Sequence, residues 1–138
     1  ANEYVKLAAV KLGETPKVIW EHSEDLPNVS SPVAAGGWLV MVSSGGTATC
    51  LDARTGKVAW THEFPKGFYA SPIVAGDRVY LLDIAGVMHV VALAGQFRLL
   101  GESTLGEPSV CTAAIVGDRL YVRGRESLYC IGEKAPAP

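Results

Sequence analysis

No stretch of this chain approaches the roughly 20 apolar residues that a membrane-spanning helix needs, and no window of helical period is flanked by caps. Charge is scarce and balanced, with Lys+Arg 12 against Asp+Glu 14 and net −2. That leaves no cationic footprint for nucleic acid or an anionic membrane. The start, Ala1-Asn2-Glu3-Tyr4, lacks the basic segment and apolar core of a signal peptide. A processed or truncated chain would begin the same way, so this end neither assigns nor excludes export. Cysteines are few, and Cys50, Cys111 and Cys130 form no Cys-x-x-Cys pair and have no His at ligand spacing, which argues against zinc. Each sits in an apolar, strand-like setting and reads as a small buried hydrophobe; one disulfide among the three stays open, with its pairing unassigned. What the chain has is 138 residues at 49% apolar content, enough for one domain with a core of its own.

A repeat of about forty residues organises it. Lys17-Val18-Ile19-Trp20-Glu21-His22 aligns with Lys57-Val58-Ala59-Trp60-Thr61-His62, and Ser31-Pro32-Val33 with Ser71-Pro72-Ile73, both at an offset of 40. Val74-Ala75-Gly76-Asp77-Arg78-Val79-Tyr80 recurs as Ile115-Val116-Gly117-Asp118-Arg119-Leu120-Tyr121 at an offset of 41, which implies one inserted residue in the intervening loop. Leu100 stands where Trp60 would recur. Periods of this length mark solenoids, propellers or arrays.

The punctuation within each unit is that of β-hairpins. Gly36-Gly37, Gly76-Asp77 and Gly117-Asp118 each separate two apolar runs, and Gly first in a two-residue loop suits a type II′ turn. The flanking segments Pro32–Ala35, Trp38–Val42, Ile73–Ala75, Val79–Leu82, Ala113–Val116 and Leu120–Val122 are rich in Val, Ile, Leu and Tyr and read as short strands. Val79-Tyr80-Leu81-Leu82 is apolar at consecutive positions, so both sheet faces are covered. In Leu51-Asp52-Ala53-Arg54-Thr55-Gly56-Lys57, Asp52 can accept from nearby N–H groups and Gly56 can take φ > 0. Parallel β-helices have a shorter period and need no hairpin in each unit. Tandem four-stranded antiparallel sheets stacked as blades explain both the period and the two-sided burial. The expected fold is therefore all-β, a partial β-propeller of about three blades (17–56, 57–96 and 97–134), with 1–16 as the remnant of a preceding blade.

Leu51-Asp52-Ala53-Arg54-Thr55-Gly56-Lys57-Val58-Ala59-Trp60 resembles the Leu-Asp-Ala-x-Thr-Gly-x-x-x-Trp signature of the pyrroloquinoline-quinone-like (PQQ-like) propeller repeat, and Ser31-Pro32 and Ser71-Pro72 match the Ser-Pro that opens its inner strand. The likeness spans about 17 to 134 and weakens in the third unit. It implies that Trp20 and Trp60, with Asp52 and Gly56, are blade-docking residues. A large aromatic recurring once per unit suits that role. The resemblance does not bring catalysis. Quinoprotein dehydrogenases of this superfamily hold PQQ over Ca²⁺ with a vicinal disulfide and a catalytic carboxylate, and this chain has no adjacent cysteines. Other members keep the fold as binding or assembly scaffolds, which implies a periplasmic or extracytoplasmic setting.

Individual polar residues read mostly as structure. His22 and His62 are repeat equivalents, His89 stands on a strand face, and Ser31 and Ser71 precede Pro without a nucleophile elbow. Ser43-Ser44-Gly45-Gly46-Thr47 reads as a hairpin loop, since no Lys or helix follows it to cradle phosphate. Arg119, Arg123, Arg125 and Glu126 cluster in the third unit, with Arg123 and Arg125 on one strand face; they and Trp38 are the candidate contact residues. The segment 135–138 reads as a disordered tail.

A propeller ring takes typically four to eight blades, and the unit boundaries place both ends of this chain in mid-blade, exposing a flat apolar face at each. The expected partners are a second copy that closes the ring, the missing blades of a longer chain, or another protein, with no nucleic acid and no membrane insertion. The expected function is a non-catalytic binding or scaffold module with no cofactor. The alternative is a fragment of a PQQ-dependent oxidoreductase, which would require PQQ and Ca²⁺.

Overall fold

The computed structural model describes residues 6–132, so the expected tail at 135–138 and the first five residues of the 1–16 remnant lie outside the described residues. Thirteen strands and no helix occur among them. The first sheet pairs β1 (Leu7–Lys11) with β2 (Lys17–His22). Blade 1 follows in the order β3 (Val33–Ala35), β4 (Trp38–Val42), β5 (Thr47–Asp52), β6 (Val58–Glu63). Blade 2 repeats it with β7 (Ile73–Ala75), β8 (Arg78–Leu82), β9 (Val87–Ala92) and β10 (Leu99–Thr104). Blade 3 has three described strands, β11 (Ala114–Val116), β12 (Arg119–Arg123) and β13 (Leu128–Ile131). Every pairing is antiparallel between sequence neighbours.

The runs of consecutive apolar residues are explained by stacking. Val40, Val42, Ala48 and Cys50 face blade 2, where Val79, Leu81 and Val91 meet them with Trp60, Phe64 and Phe68. The opposite face of blade 2, with Leu82 and Met88, packs on Val122 and Ala113 of blade 3. The two-residue hairpin turns are of two kinds. Gly76 and Gly117 have φ 60° with no positive φ at the following Asp, as a type II′ turn requires, whereas Gly36 and Gly37 are both positive, at 57° and 84°, which is the type I′ pattern.

One irregularity recurs in every outer strand. The register slips between Ala9 and Val10, between Cys50 and Leu51, and between Leu99 and Gly101, leaving Ile19, Ala59 and Leu100 as the extra bulged residues. After the bulge come Trp20 opposite Ala9, Trp60 opposite Cys50 and Gly101 opposite Val90. A bulge sharpens local twist and re-aims the next side chain. The true counterpart of Trp60 is therefore Gly101, and the assignment to Leu100 is corrected: Leu100 occupies the bulge. The inserted residue lies in the turn between β9 and β10, because Ala92 N–H donates to Arg98 O where Asp52 N–H donates to Lys57 O.

The re-aimed indoles cross to the next sheet. Trp20 Nε1–H donates to Ala53 O at 3.0 Å, and Trp60 Nε1–H donates to Ala94 O at 2.8 Å. Trp20 lies flat over Gly56, where an added Cβ would come within 2.6 Å of the ring, and Gly56 has φ 71°. In the next turn Phe97 occupies the matching place and meets Trp60 edge-on, centroids 5.3 Å apart. At the opposite end of the blades a second tie runs through hydroxyls: Ser31 N–H donates to Ser71 Oγ at 2.8 Å, and Ser71 N–H to Thr112 Oγ1 at 2.9 Å. Between blades 2 and 3 a cleft of about 220 Å³ is lined by Tyr80, Ile115, Leu120 and Ile131.

Truncating Trp60, which is buried and bonded, is expected to cost about 3–5 kcal/mol, and Trp20→Ala less because that ring is half-exposed. Gly56→Ala forces a side chain into positive φ and into the Trp20 ring, with an expected loss of about 2 kcal/mol. Urea unfolding of the three variants measures the order; equal costs for the two tryptophans would contradict it.

Candidate functional site

The densest polar constellation is a carboxylate–imidazole–carboxylate network in blade 2. Asp83, at the start of the β8–β9 turn, caps that turn: its Oδ1 accepts from Ala85 N–H and Val87 N–H, both at 2.9 Å. Its Oδ2 lies 3.3 Å from His89 Nε2, and His89 Nδ1 lies 2.5 Å from Glu102 Oε1 on β10. The Asp83 and His89 side chains are 3% and 4% exposed, whereas Glu102 is half-exposed. Phe64 and Phe68 cover the ring, with centroids 4.4 and 6.1 Å from it. Each ring nitrogen faces a carboxylate oxygen, so the imidazole ties the β8–β9 turn to β10. With the imidazole covered by aromatic rings and both its nitrogens engaged, the network is a structural tie within blade 2.

The open surface lies at the loop end of the blades, where each outer strand is linked to the next inner strand. There Val29, Tyr69 and Val110 occupy one repeat position and are 58%, 45% and 55% exposed. The hydroxyl ties at residues 31, 71 and 112 set these segments side by side, so the three side chains form an apolar row. The row ends at a cleft of about 320 Å³ lined by Val110, Cys111, Arg123 and Arg125 with Pro108 and Ser109. Its walls are fixed by Ser109 Oγ–H donating to Arg123 O at 2.7 Å and Arg125 N–H donating to Pro108 O at 3.0 Å. Arg123 Nη1 sits 3.8 Å from Cys111 Sγ.

The residues singled out in the sequence fall in three places. Trp20, Trp60, Asp52 and Gly56 lie at the blade contacts; Asp52 Oδ1 accepts from Arg54 N–H and Thr55 N–H, both at 2.9 Å. The Thr55 N–H chiefly holds its carboxyl below the ordinary range. Trp38 packs into the cluster between blades 1 and 2, with its ring tip over Gly95. Arg123 ends β12 and Arg125 belongs to the turn after it, yet both reach the same cleft, while Arg119 turns to Asp118 and Cys130. The expectation of three buried thiols is corrected. Cys50 is buried, and burial pushes its thiol up to about 12, but Cys111 is half-buried, Cys130 is exposed, and all three are free. The last face of blade 3 is also less uniformly apolar than expected, because Arg119 and Arg123 share it with the exposed Leu128 and Val116.

Tandem antiparallel sheets, docked by a bulge-aimed indole and carrying a loop-end apolar row, define a partial β-propeller of PQQ-like repeats. Residues 6–129 match the family described as outer membrane protein assembly factor BamB, and the chain belongs to that family. Over 93 residues, 67% of this chain, it is 26% identical to outer membrane protein assembly factor BamB of Alteromonas naphthalenivorans and covers 22% of it. Over 60 residues, 43% of this chain, it is 38% identical to quinoprotein alcohol dehydrogenase PedE of Pseudomonas putida and covers 10% of it. The crystal structure of BamB from Moraxella catarrhalis superposes with a TM-score of 0.70 at 17% identity, covering 84% of this chain and 38% of that one. The chain therefore spans a minor part of the length of each relative.

A quinone held over Ca²⁺ requires several free side-chain oxygens around the ion. Among the described residues no group of three or more His, Cys, Asp and Glu is placed to hold a metal, and the oxygens of Asp83 and Glu102 are directed at His89 and backbone N–H groups. These residues do not fit that group.

Two outcomes are expected. His89→Ala removes a buried ring from beneath Phe64 and Phe68 and leaves Asp83 Oδ2 without its partner, and is expected to cost about 3 kcal/mol; a change below about 1 kcal/mol in urea unfolding would show that the network is not structural. Because the folded-state pKa of Asp52 is depressed, its contribution is full above the unfolded carboxylate value near 4 and disappears as pH falls through the folded value. Urea midpoints of the native chain and Asp52→Asn are therefore expected to differ at pH 7 and converge in acid; a gap that is constant with pH would refute this.

Proposed function

We propose that the chain is a non-catalytic propeller module that binds an extended segment of a protein partner across the loop ends of its blades, in an extracytoplasmic setting and without a cofactor. The observation that carries this reading is the row Val29, Tyr69 and Val110, exposed apolar side chains at one position in successive repeats. Singly exposed apolar residues are ordinary, whereas a contiguous set marks an interaction surface. Similarity to the Alteromonas relative, an outer membrane protein assembly factor, supports protein binding. The row suits an extended peptide because the hydroxyl ties align its three side chains along one direction across the blades.

A second reading, a segment of a quinoprotein oxidoreductase, is favoured by the 38% identity to quinoprotein alcohol dehydrogenase PedE over 60 residues. Titration with PQQ and Ca²⁺ separates the two: a saturable shift in quinone absorbance would favour the oxidoreductase. Ring closure by a second copy belongs to the binding reading as a way of covering the blade 3 face, and light scattering tests it. A species that stays at 14.6 kDa over a range of concentration would exclude self-closure.

A short labelled peptide of alternating Val and Thr is expected to bind, and Tyr69→Ser to weaken it about tenfold, the value of one buried aromatic contact, with an unchanged urea midpoint. Anisotropy measures this; equal affinity for the native chain and Tyr69→Ser would discard the row as the binding surface.

A further inference from the structure

We propose that the cleft at the end of this row receives a carboxylate, so that the bound segment is an acidic, extended peptide. This rests on the peptide-binding reading above and adds the chemistry of the occupant. The repeat itself displays how the cleft is filled. The matching place in blade 1, between residues 27–30 and Val42–Ser44, receives Phe68, which is fully buried and whose N–H donates to Ser43 O at 3.1 Å. By register Ser43 corresponds to Gly124, the floor of the cleft in blade 3. The cleft is thus shaped for one extended strand of backbone, with an N–H directed at a turn carbonyl and a side chain directed inward.

The inward lining then sets which side chain. Val42 and Leu82, 1% and 2% exposed, are the counterparts of Arg123, and Ser44 and Ile84 are those of Arg125. In blade 3 alone this position carries two guanidinium groups, which suit a carboxylate rather than an aromatic ring. Among the described residues neither arginine has a carboxylate within 4.0 Å, whereas Arg78 and Arg119 have Asp77 and Asp118. Glu107, whose carboxyl lies beside Gly124, is engaged with other groups: it accepts from Tyr129 O–H and Glu126 N–H, each at 2.7 Å. The Tyr129 bond chiefly holds its carboxyl below the ordinary range. Cys111 lies in the same cleft, 3.8 Å from Arg123 Nη1, and so reports occupancy.

The test uses three labelled peptides, alternating Val with Glu, with Gln or with Lys, on the chain carrying Cys130→Ser so that Cys111 is the accessible thiol. The Val-Glu peptide is expected to bind at least about tenfold more tightly than the Val-Gln peptide, to lose that advantage in Arg123→Gln/Arg125→Gln, to weaken with added salt, and to slow alkylation of Cys111 by N-ethylmaleimide. Circular dichroism confirms that the double variant is folded. Equal binding of the Glu and Gln peptides, or a preference that survives the double variant, overturns the inference; if Tyr69→Ser still weakens both peptides, the peptide-binding reading stands without it. Protection of Cys111 that rises with protein concentration and needs no peptide identifies a second copy as the occupant and likewise overturns it.

Discussion

The structure depends on an indole reaching out of one sheet to a carbonyl of the next. Sheets of this size cannot hide both apolar faces by themselves, and stacking needs a device that sets the spacing and the angle. The bulge before Trp20 and before Trp60 turns each ring out of its own sheet, and the N–H of each ring then fixes the distance to Ala53 O and Ala94 O. Around that anchor the aliphatic residues of β4, β5, β8 and β9 interdigitate. In the third repeat position Gly101 stands in place of the anchor. Within blade 2 the Asp83–His89–Glu102 network ties the β8–β9 turn to β9 and β10.

Much of this was legible because repetition leaves its mark in the chain. The offset of 40, the Gly turns and the runs apolar on both faces led directly to stacked four-stranded sheets, and Trp38–Val42 and Ile73–Ala75 are strands with those very bounds. Asp52 and Gly56 were legible because their roles are local: a turn acid accepting from the next N–H groups, and a glycine at positive φ. What stayed hidden depends on cross-strand register. The carboxylates around His89 lie 6 and 13 residues away, and only the pairing of β9 with β10 brings Glu102 opposite it. The place of Gly101 was hidden too, since the extra residue in the preceding turn shifts the alignment by one.

Burial of the thiols was misjudged for a related reason. Cys50 and Cys130 both sit in the third strand of a blade, among residues of similar character, yet one faces a neighbouring sheet and the other the last described face. Composition around a residue reports the strand, and not what stands across from it. The same holds for Arg123: its place in the repeat belongs to Val42 and Leu82, and its charge becomes meaningful only once the structure brings Arg125 and Val110 to the same cleft.

The hydroxyl ties give the array a direction. In each, the backbone of the earlier blade donates and the side chain of the later blade accepts, from Ser31 to Ser71 and from Ser71 to Thr112. A vectorial contact of this kind joins head to tail. Two identical faces brought together by a two-fold axis would set donor against donor, so the tie suits a head-to-tail contact and not an isologous one.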